Sequence, residues 1–316
     1  MNTPSAQDIS KPIVVAALYH FARFERYAAF RAPLLDHCEM AGIKGTLLLA
    51  AEGINGTIAG DRCAIDSVVE YIRRQPEFAA MRVKESYTAA MPFYRMKVRL
   101  KREIVAMGVP GADPLAQVGA YVAPEDWNAL IAEPGVVLVD TRNDYEVALG
   151  TFEGALNPGT EAFTEFPGYV AQHLDPERTP RVAMFCTGGI RCERATAYML
   201  HQGFKEVYHL DGGILNYLAR VPESESKWHG ECFVFDERVS VDHQLQRGHY
   251  DLCRGCRKPV STADKDSPHF IEGVCCHRCH GTLSEAQRRG RTERHRQVRL
   301  AEARHDRHVG KRNPNS

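Results

Sequence analysis

The alternation of apolar and polar positions along the first part of the chain predicts a domain of mixed helices and strands. Short apolar runs typical of strands are found at residues 13–19, 43–50, 54–59, 81–86 and 96–106. Helical spacing of apolar positions is found at residues 24–40 and 64–73. The order strand, helix, strand, strand, helix, strand is the ferredoxin-like pattern. We therefore predict an α+β ferredoxin-like domain over residues 13–108, after a flexible segment at residues 1–12.

A different pattern follows a stretch rich in glycine and proline. These residues punctuate positions 110–124, which predicts a linker at residues 109–122. Beyond it, helical stretches separate three apolar runs at residues 136–139, 182–185 and 207–210. Buried apolar strands that alternate with helices indicate a parallel sheet with helices on its faces. The pattern thus predicts an α/β domain over residues 123–221.

The last part of the chain is short of core-forming residues. Residues 222–283 are rich in Cys and His and too few for a large core, so this region needs an additional cross-link to fold stably. Residues 284–316 form a tail that is either helical or disordered. From position 285 it holds ten Lys and Arg against four Asp and Glu, so ten minus four gives +6, while the whole chain is neutral. A basic tail favours an acidic partner such as nucleic acid, and a solvated helix end is the alternative.

Composition narrows the setting in which the protein works. The 316 residues suffice for two or three domains. No apolar run is long enough to cross a bilayer, and the first ten residues do not resemble a signal peptide. We therefore expect a cytoplasmic protein with no membrane contact, and no protein partner is evident. In a reducing compartment, the ten cysteines indicate metal ligation or thiol chemistry rather than disulfides.

One cysteine stands where a thiolate would be stabilised. Cys186 follows the apolar run at 182–185 and precedes a helix expected at 193–200, so it lies at the carboxyl end of a parallel strand. Backbone N–H groups and the helix dipole favour negative charge there, and Arg191 adds a fixed positive charge. We predict Cys186 and Arg191 as catalytic residues, against the alternative of an inert buried thiol. The predicted substrate-binding loop residues are Thr187, Gly188, Gly189 and Ile190.

The residues around this loop resemble the rhodanese superfamily over about residues 123–220. Asp140-Thr141-Arg142 with Glu146, the stretch 150–158 and the stretch 210–214 look like the signatures of that family. We expect Asp140 to order the strand end, and Arg142 and Glu146 to form an ion pair. Four residues separate Cys186 from Arg191, whereas related phosphatases of this fold have five. The shorter loop suits sulfur or thiolate chemistry better than phosphate.

Longer motifs resemble the tRNA uridine(34) hydroxylase family, a rhodanese-domain protein family. They lie at residues 51–57, 187–193, 201–204 and 230–238, and the resemblance runs from about residue 13 to residue 279. It implies an oxidoreductase that uses molecular oxygen to place a hydroxyl on C5 of the wobble uridine in tRNA. No flavin or haem motif is visible, and no His-carboxylate triad for non-haem iron is visible either.

The resemblance suggests a chemical role for the thiol, and two other functions stay open. A thiolate that adds to C6 of uracil would make C5 electron-rich, and we assign that step to Cys186. Cys192 is a third catalytic candidate because it could resolve an oxidised state, although it is equally explained as a small helix residue. The alternatives are a sulfurtransferase carrying a persulfide on Cys186, and a binding module without activity.

A second group of cysteines predicts a metal site. Two CxxC pairs are separated by nineteen residues, a spacing typical of structural zinc. Cys275, His277 and His280 compete for one position, and a set of reduced thiols without metal is the alternative. The predicted zinc ligands are Cys253, Cys256, Cys276 and Cys279.

A basic strand offers a surface for tRNA. In the segment from Tyr94 onward, alternation places Arg95, Lys97 and Arg99 on one face of a strand, with Met96, Val98 and Leu100 in the core. Such a face could bind phosphates, and an ordinary solvated strand face is the alternative. We predict Arg95, Lys97 and Arg99 as tRNA contacts, with the basic tail adding further phosphate contacts.

Overall fold

The computed structural model describes residues Pro12–Arg304 and divides the chain into two compact units. The first contains the described residues up to Cys232 together with Asp242–Gln246. The second contains Phe233–Val241 and the described residues from Arg247 onward. The segment expected to be flexible before Pro12 and the tail beyond Arg304 lie outside the described residues.

The N-terminal part of the first unit is ferredoxin-like, as predicted. Its elements are β1 (Ile13–Phe21), α1 (Tyr27–Met40), β2 (Lys44–Ala50), β3 (Gly53–Gly60), α2 (Arg62–Arg73), β4 (Arg82–Thr88) and β5 (Met96–Leu100). They form a five-stranded sheet in the order β4-β1-β3-β2-β5. The predicted strand at 96–106 was too long, because β5 ends at Leu100.

The two helices cover one face of this sheet. Alternate residues of β1, including Val14, Ala16 and Leu18, belong to the same buried cluster as Leu34 of α1 and Val68 of α2. Because strand side chains alternate, the neighbours of these residues in β1 point to the opposite face. That second face has no helix of its own and leads to the candidate site.

The C-terminal part of the first unit is the predicted parallel α/β domain. Its elements are β6 (Ala120–Val122), α3 (Pro124–Ile131), β7 (Val136–Asp140), α4 (Asp144–Val147), β8 (Gly150–Phe152), α5 (Phe166–His173), β9 (Arg181–Phe185), α6 (Ile190–His201), β10 (Glu206–Leu210), α7 (Gly213–Arg220) and β11 (Trp228–Gly230). Four strands pair in parallel in the order β6-β10-β9-β7, while β11 pairs antiparallel with β8.

Two details of this domain differ from expectation. The segment 109–122, expected to be a linker, contains β6, and Ala112 within it is 3% exposed and belongs to the domain core. Strand β6 is only three residues long, and so few residues show no clear alternation of apolar and polar positions among the glycines and prolines. Helix α6 begins at Ile190 rather than at 193, so the candidate loop is closed within Cys186–Gly189.

The second unit is small and built around sulfur. The remaining elements are β12 (Cys232–Phe233), β13 (Ser240–Val241), β14 (Asp251–Leu252), β15 (Pro259–Val260), α8 (Thr262–Lys265) and α9 (Glu285–Ala303). Its buried cluster consists of Cys253, Cys275, Cys276 and Cys279 with Val260 and Val274, and the half-buried Cys256 packs against it, so the unit has little aliphatic core. Helix α9 begins at a capping box of Ser284 and Gln287. Across the described residues, no helix is both long and apolar enough to span a membrane.

Candidate active site and metal centre

In the loop after β9, the sulfur of Cys186 accepts a hydrogen bond from the backbone. The backbone N–H of Gly189 donates to Cys186 Sγ at 3.1 Å. Gly189 has φ +101°, a conformation that side chains rarely allow, so the glycine is what lets the backbone turn back to the sulfur. Cys186 itself is only 1% exposed.

The surroundings of Cys186 favour its thiolate. Burial opposes the charge, but the Cys192 side chain as a hydrogen-bond donor, the Arg191 charge and the N–H groups of Cys192 and Gly189 outweigh it. Together they hold the pKa of Cys186 well below its usual value. Burial and the neighbouring Cys186 thiolate raise the pKa of Cys192, so Cys192 keeps its proton and donates it. Cys192 Sγ also lies 3.5 Å from Thr141 Oγ1.

Arg191 is paired inside the protein. Its two terminal nitrogens donate to the two carboxylate oxygens of Glu146, both at 2.7 Å, and the pair is buried. The predicted pairing of Arg142 with Glu146 was wrong. Arg142 donates instead to the carboxylate of Asp140 at 2.6 and 2.9 Å. The sequence shows two arginines and two acids near the loop, and only the fold decides how they pair.

Two residues of the ferredoxin-like domain reach the same loop and were missed from the sequence. Lys84 Nζ on β4 donates to the carbonyl oxygen of Gly188 at 2.5 Å. Tyr19 on β1 donates its hydroxyl to Glu193 Oε1 on α6 at 2.8 Å. Arg82 and Lys84 alternate with Val83 along β4, a signal that a basic strand face exists but not what it faces.

The N-terminal motif at residues 51–57 attaches one domain to the other. Glu52 forms an ion pair with Arg194 of α6, and the same carboxylate accepts the N–H of Ile104 at 2.7 Å. Asn55 donates to the Ile104 carbonyl at 2.8 Å, and Arg194 donates to the Ala112 carbonyl at 3.1 Å. These contacts join the ferredoxin-like sheet to the helix that follows the Cys186 loop.

The predicted tRNA contacts lie at the edge of the sheet opposite β4. Across the strands, Lys97, Thr46, Thr57, Ala17 and Lys84 stand opposite one another in one row. Residues directly opposite share a face, so Lys97 and Lys84 end the same row, about 19 Å apart for four strand spacings.

A second row runs beside the first. It consists of Arg99, Leu48, Asn55, Tyr19 and Arg82, so it too ends in a basic residue at each edge. Arg95 is exposed just before β5. Leu100, predicted for the core, is 43% exposed because the strand ends there.

Four cysteines of the second unit come together as predicted. Their sulfurs all lie within 4.8 Å of one another, with Cys253–Cys279 at 3.8 Å and Cys256–Cys276 at 3.7 Å. A tetrahedral Zn²⁺ with bonds of about 2.3 Å places its sulfurs about 3.8 Å apart, so these four residues fit a metal ion.

The competing ligands point elsewhere. Cys275 Sγ contacts the His269 carbonyl oxygen at 3.6 Å, and His277 Nδ1 lies 3.5 Å from Asp264. The ring of His280 packs against that of His269 with centroids 4.6 Å apart. The two CxxC pairs therefore supply all four sulfurs of the candidate metal site.

This fold and loop define a rhodanese-domain protein. The family model described as rhodanese-like domain matches residues 123–220, and the model described as UPF0176 acylphosphatase like domain matches residues 13–104. A protein of Sinorhizobium fredii named tRNA uridine(34) hydroxylase is 55% identical over 310 residues, covering 98% of this chain and 99% of that protein. The chain belongs to the tRNA uridine(34) hydroxylase family.

Solved structures of single domains also match. A rhodanese-like domain from Anabaena sp. is 17% identical, with a TM-score of 0.29, and the match covers 35% of this chain and 78% of that one. An acylphosphatase from Coxiella burnetii is 15% identical, with a TM-score of 0.24, and the match covers 30% of this chain and 100% of that one.

Proposed function

We propose that this protein is an oxygen-dependent tRNA hydroxylase that forms 5-hydroxyuridine at the wobble position, with the Cys186 thiolate as its nucleophile. Membership in the tRNA uridine(34) hydroxylase family supports the reaction. The role of Cys186 is supported by the hydrogen bonds that its sulfur accepts from the Gly189 N–H and the Cys192 side chain. The substrate is cytoplasmic tRNA.

The thiolate prepares the base for oxygen. Cys186 Sγ adds to C6 of the uracil, and the electron pair of the C5–C6 double bond moves onto C5 and O4. One atom of O₂ then forms the bond to C5, and the other leaves as water with two protons and two electrons from a thiol reductant. Loss of the C5 proton expels Cys186 and restores the double bond. Cys192 lies beside Cys186 and resolves the sulfur if it becomes oxidised.

The test follows the oxygen atom. Purified protein is incubated with unmodified tRNA and a thiol reductant under ¹⁸O₂, and the nucleosides are analysed by mass spectrometry. We expect one ¹⁸O atom in 5-hydroxyuridine. Label that enters from H₂¹⁸O instead, or no 5-hydroxyuridine at all, would refute the proposal. Cys63→Ala, which changes an exposed free cysteine, is the matched control and retains the activity.

The helix-free sheet face is the proposed path for the tRNA backbone. Its two cross-strand rows end in Lys97 and Arg99 at the β5 edge, whereas Arg82 and Lys84 at the β4 edge already hold Asp211 and the Gly188 carbonyl. The middle of the face carries Thr46 and Thr57, which are small, half-buried polar residues. Phosphates bound along the rows would lead the anticodon toward the loop of Cys186. Arg95 adds charge at the β5 edge.

The basic tail is proposed as a second, smaller source of tRNA affinity. Helix α9 already uses two arginines to hold its own unit, because Arg291 donates to the Val274 carbonyl at 3.3 Å and Arg294 donates to the Arg254 carbonyl at 3.1 Å. The other arginines of the tail supply phosphate contacts. Deleting residues 285–316 is expected to lower tRNA affinity and its salt dependence.

The four cysteines are proposed to bind structural zinc. Four thiolate ligands leave no open position for substrate, so the ion acts as a staple for a unit with little aliphatic core. Metal analysis of protein purified without chelator should give one zinc per chain.

A sulfurtransferase is the second candidate, favoured by the match to the rhodanese-like domain and by the four-residue loop. In that case Cys186 would carry a persulfide. Transfer of sulfur from thiosulfate to cyanide, together with a sulfane adduct on the Cys186 peptide, would support it. Label from ¹⁸O₂ in tRNA without such transfer would exclude it.

A further inference from the structure

Three side chains meet around one carboxylate where the two domains of the first unit touch. Glu193, in the first turn of α6, accepts the hydroxyl of Tyr19 at 2.8 Å. Tyr121, in the middle of β6, also donates its hydroxyl to Glu193. Lys84 Nζ lies 5.0 Å from the centre of the Tyr19 ring. The cluster therefore combines a carboxylate from the rhodanese-like domain with a phenol and an ammonium from the ferredoxin-like domain.

This cluster lies against the loop of Cys186. The Tyr19 oxygen is 2.8 Å from the place that a Cβ on Gly189 would occupy, and the N–H of Gly189 reaches Cys186 Sγ at 3.1 Å. On the other side of the cluster, Lys84 holds the carbonyl oxygen of Gly188 at 2.5 Å. The Glu193–Tyr19 pair and the sulfur of Cys186 therefore both border the turn at Gly189.

The other acids near the loop are already committed to cations. Glu146 pairs with Arg191, Asp140 pairs with Arg142, and Asp211 pairs with Arg82 at 3.1 Å. Glu193 differs because its hydrogen-bond donors are neutral phenols. A carboxylate held by phenols can take up a proton and release it, whereas one locked to an arginine stays ionised.

The electrostatics agree with this geometry. Burial raises the pKa of Glu193, hydrogen bonds from Tyr19 and Tyr121 and the charge of Lys84 lower it, and the nearby Cys186 raises it, with a net rise. A raised carboxyl pKa suits a group that must exchange protons near neutral pH. The titratable and charged groups around it are Tyr19, Tyr121, Lys84, Arg82, Asp211 and Cys186.

We propose that Glu193 is the general base that removes the C5 proton of the uracil, and that Tyr19, Tyr121 and Lys84 position it. This inference rests on the proposed function. Once Cys186 has added to C6 and an electrophile has bonded to C5, the Glu193 carboxylate takes the C5 proton from the opposite face. The electrons of that C–H bond restore the C5–C6 double bond, the C6–S bond breaks, and its electron pair returns to Cys186. The step consumes no oxidant.

Hydrogen exchange isolates this step from oxygen chemistry. In D₂O without O₂, a deuteron from solvent can bond to C5 in place of oxygen, and Glu193 then removes the original proton. Wild-type protein should therefore place deuterium on C5 of the wobble uridine, measured by mass spectrometry of the nuclease fragment. Glu193→Gln should slow this exchange about 100-fold or more, the usual effect of losing a general base, with tRNA affinity unchanged. Cys186→Ala should abolish it.

Two further variants separate catalysis from folding. Glu193→Asp keeps a carboxylate and should recover part of the exchange. Tyr19→Phe removes a hydrogen bond that lowers the pKa of Glu193, so that pKa rises and the acidic limb of the exchange-against-pH curve should move to higher pH. Glu177→Gln, a change of an exposed glutamate of the same domain, is the control and should exchange like wild type.

The outcomes distinguish the inference from the function beneath it. If Glu193→Gln exchanges hydrogen at C5 at the wild-type rate, Glu193 is not the general base. The same conclusion follows if the exchange-against-pH curve of Tyr19→Phe coincides with that of wild type. Formation of 5-hydroxyuridine in air without any exchange under nitrogen would also overturn the role of Glu193 and would leave the proposed function standing. A protein that neither hydroxylates nor exchanges would overturn both.

Discussion

The sulfur of Cys186 and the four sulfurs of the second unit are surrounded by different groups. Around Cys186 the protein supplies an N–H donor, a thiol donor and a buried Arg191–Glu146 pair, so one thiolate is stabilised without a metal. In the Cys253 cluster each sulfur also lies close to another sulfur, with Cys256–Cys276 at 3.7 Å and Cys253–Cys279 at 3.8 Å. Four thiolates so close repel one another unless a cation lies between them.

We propose that this difference separates a reactive sulfur from structural ones. A thiolate held by hydrogen bonds keeps an electron pair for attack on a substrate. Thiolates that share a metal have given that pair to the ion, and they contribute to folding instead. The same residue type therefore serves two purposes, and the following changes test each side of the comparison.

Loss of the reactive sulfur should have the largest effect on activity. Cys186→Ser is expected to lower the rate of 5-hydroxyuridine formation by roughly 10⁴-fold or more, the scale seen when a covalent nucleophile is removed. The thermal unfolding temperature should change little, because the side chains are similar in size. A variant that still hydroxylates at a substantial fraction of the wild-type rate would contradict the role of Cys186.

Loss of a metal ligand should have the largest effect on folding. Structural zinc contributes on the order of 10 kcal/mol in small zinc domains, so Cys276→Ser or a strong chelator should unfold the second unit. Metal content and protease sensitivity of residues beyond 247 are the measurements. Cys275→Ser is the matched control, because this buried neighbour lies outside the tetrahedron and should keep the metal. Equal metal content in both variants would contradict the assignment.

Breaking the buried pair beside Cys186 should affect both stability and thiol chemistry. Glu146→Gln leaves Arg191 charged and uncompensated, which costs about 3–5 kcal/mol of unfolding free energy. Because the positive charge is then unopposed, the pKa of Cys186 should fall further. Urea denaturation measures the first effect, and the pH dependence of alkylation by iodoacetamide measures the second. An unchanged unfolding free energy would show that the pair is not a buried contact.

Removing the thiol donor should act in the opposite direction on Cys186. Cys192→Ala deletes a hydrogen bond that lowers the pKa of Cys186, so that pKa should rise and alkylation should need higher pH. In wild type the lowered pKa contributes stability that is complete above the unfolded thiol pKa and is lost as pH falls toward the folded one. The variant should therefore lose less stability than wild type over that range. Identical alkylation curves would exclude Cys192 as the donor.

The smallest effects are expected on the sheet face. Lys97→Ala and Arg99→Ala should each weaken tRNA binding and reduce the slope of log affinity against log salt by about 0.7–0.9 if each side chain contacts one phosphate. Filter binding at several salt concentrations measures this. Arg74→Ala, at an exposed residue that directly follows α2 and pairs with Glu70, should change neither quantity. Slopes equal to wild type for both β5 variants would remove this strand from the interface.

The sequence predicts the fold correctly where the alternation of apolar and polar residues extends over several positions and where the residues of a motif are close together in the chain. The ferredoxin-like order, the parallel strands and the Cys186 loop follow from runs of four or more residues, and the CxxC spacing predicts the sulfur cluster. Strand β6 was missed because three residues show no period, and Leu100 was misplaced because alternation does not reveal where a strand ends.

The contacts between domains needed the structure. Tyr19 and Lys84 lie 167 and 102 positions before Cys186, by subtraction of their numbers, and no spacing rule connects them. The pairing of Glu146 with Arg191 rather than Arg142 depends on where α4 places the carboxylate. The sequence shows only that β4 alternates basic residues with other residues and that charged residues cluster near the Cys186 loop. These signals indicate that the charges have partners but do not identify the partners.

The central claim is that Cys186 bonds to C6 of the wobble uridine, and a trapped adduct tests it most directly. In tRNA that carries 5-fluorouridine at this position, fluorine replaces the C5 hydrogen that must leave, so the thiolate can add but the product cannot form. We predict a covalent protein–tRNA complex that survives denaturation, with the nucleotide on the Cys186 peptide in mass spectrometry. An adduct on another residue, or no adduct from protein that hydroxylates normal tRNA, would contradict the account.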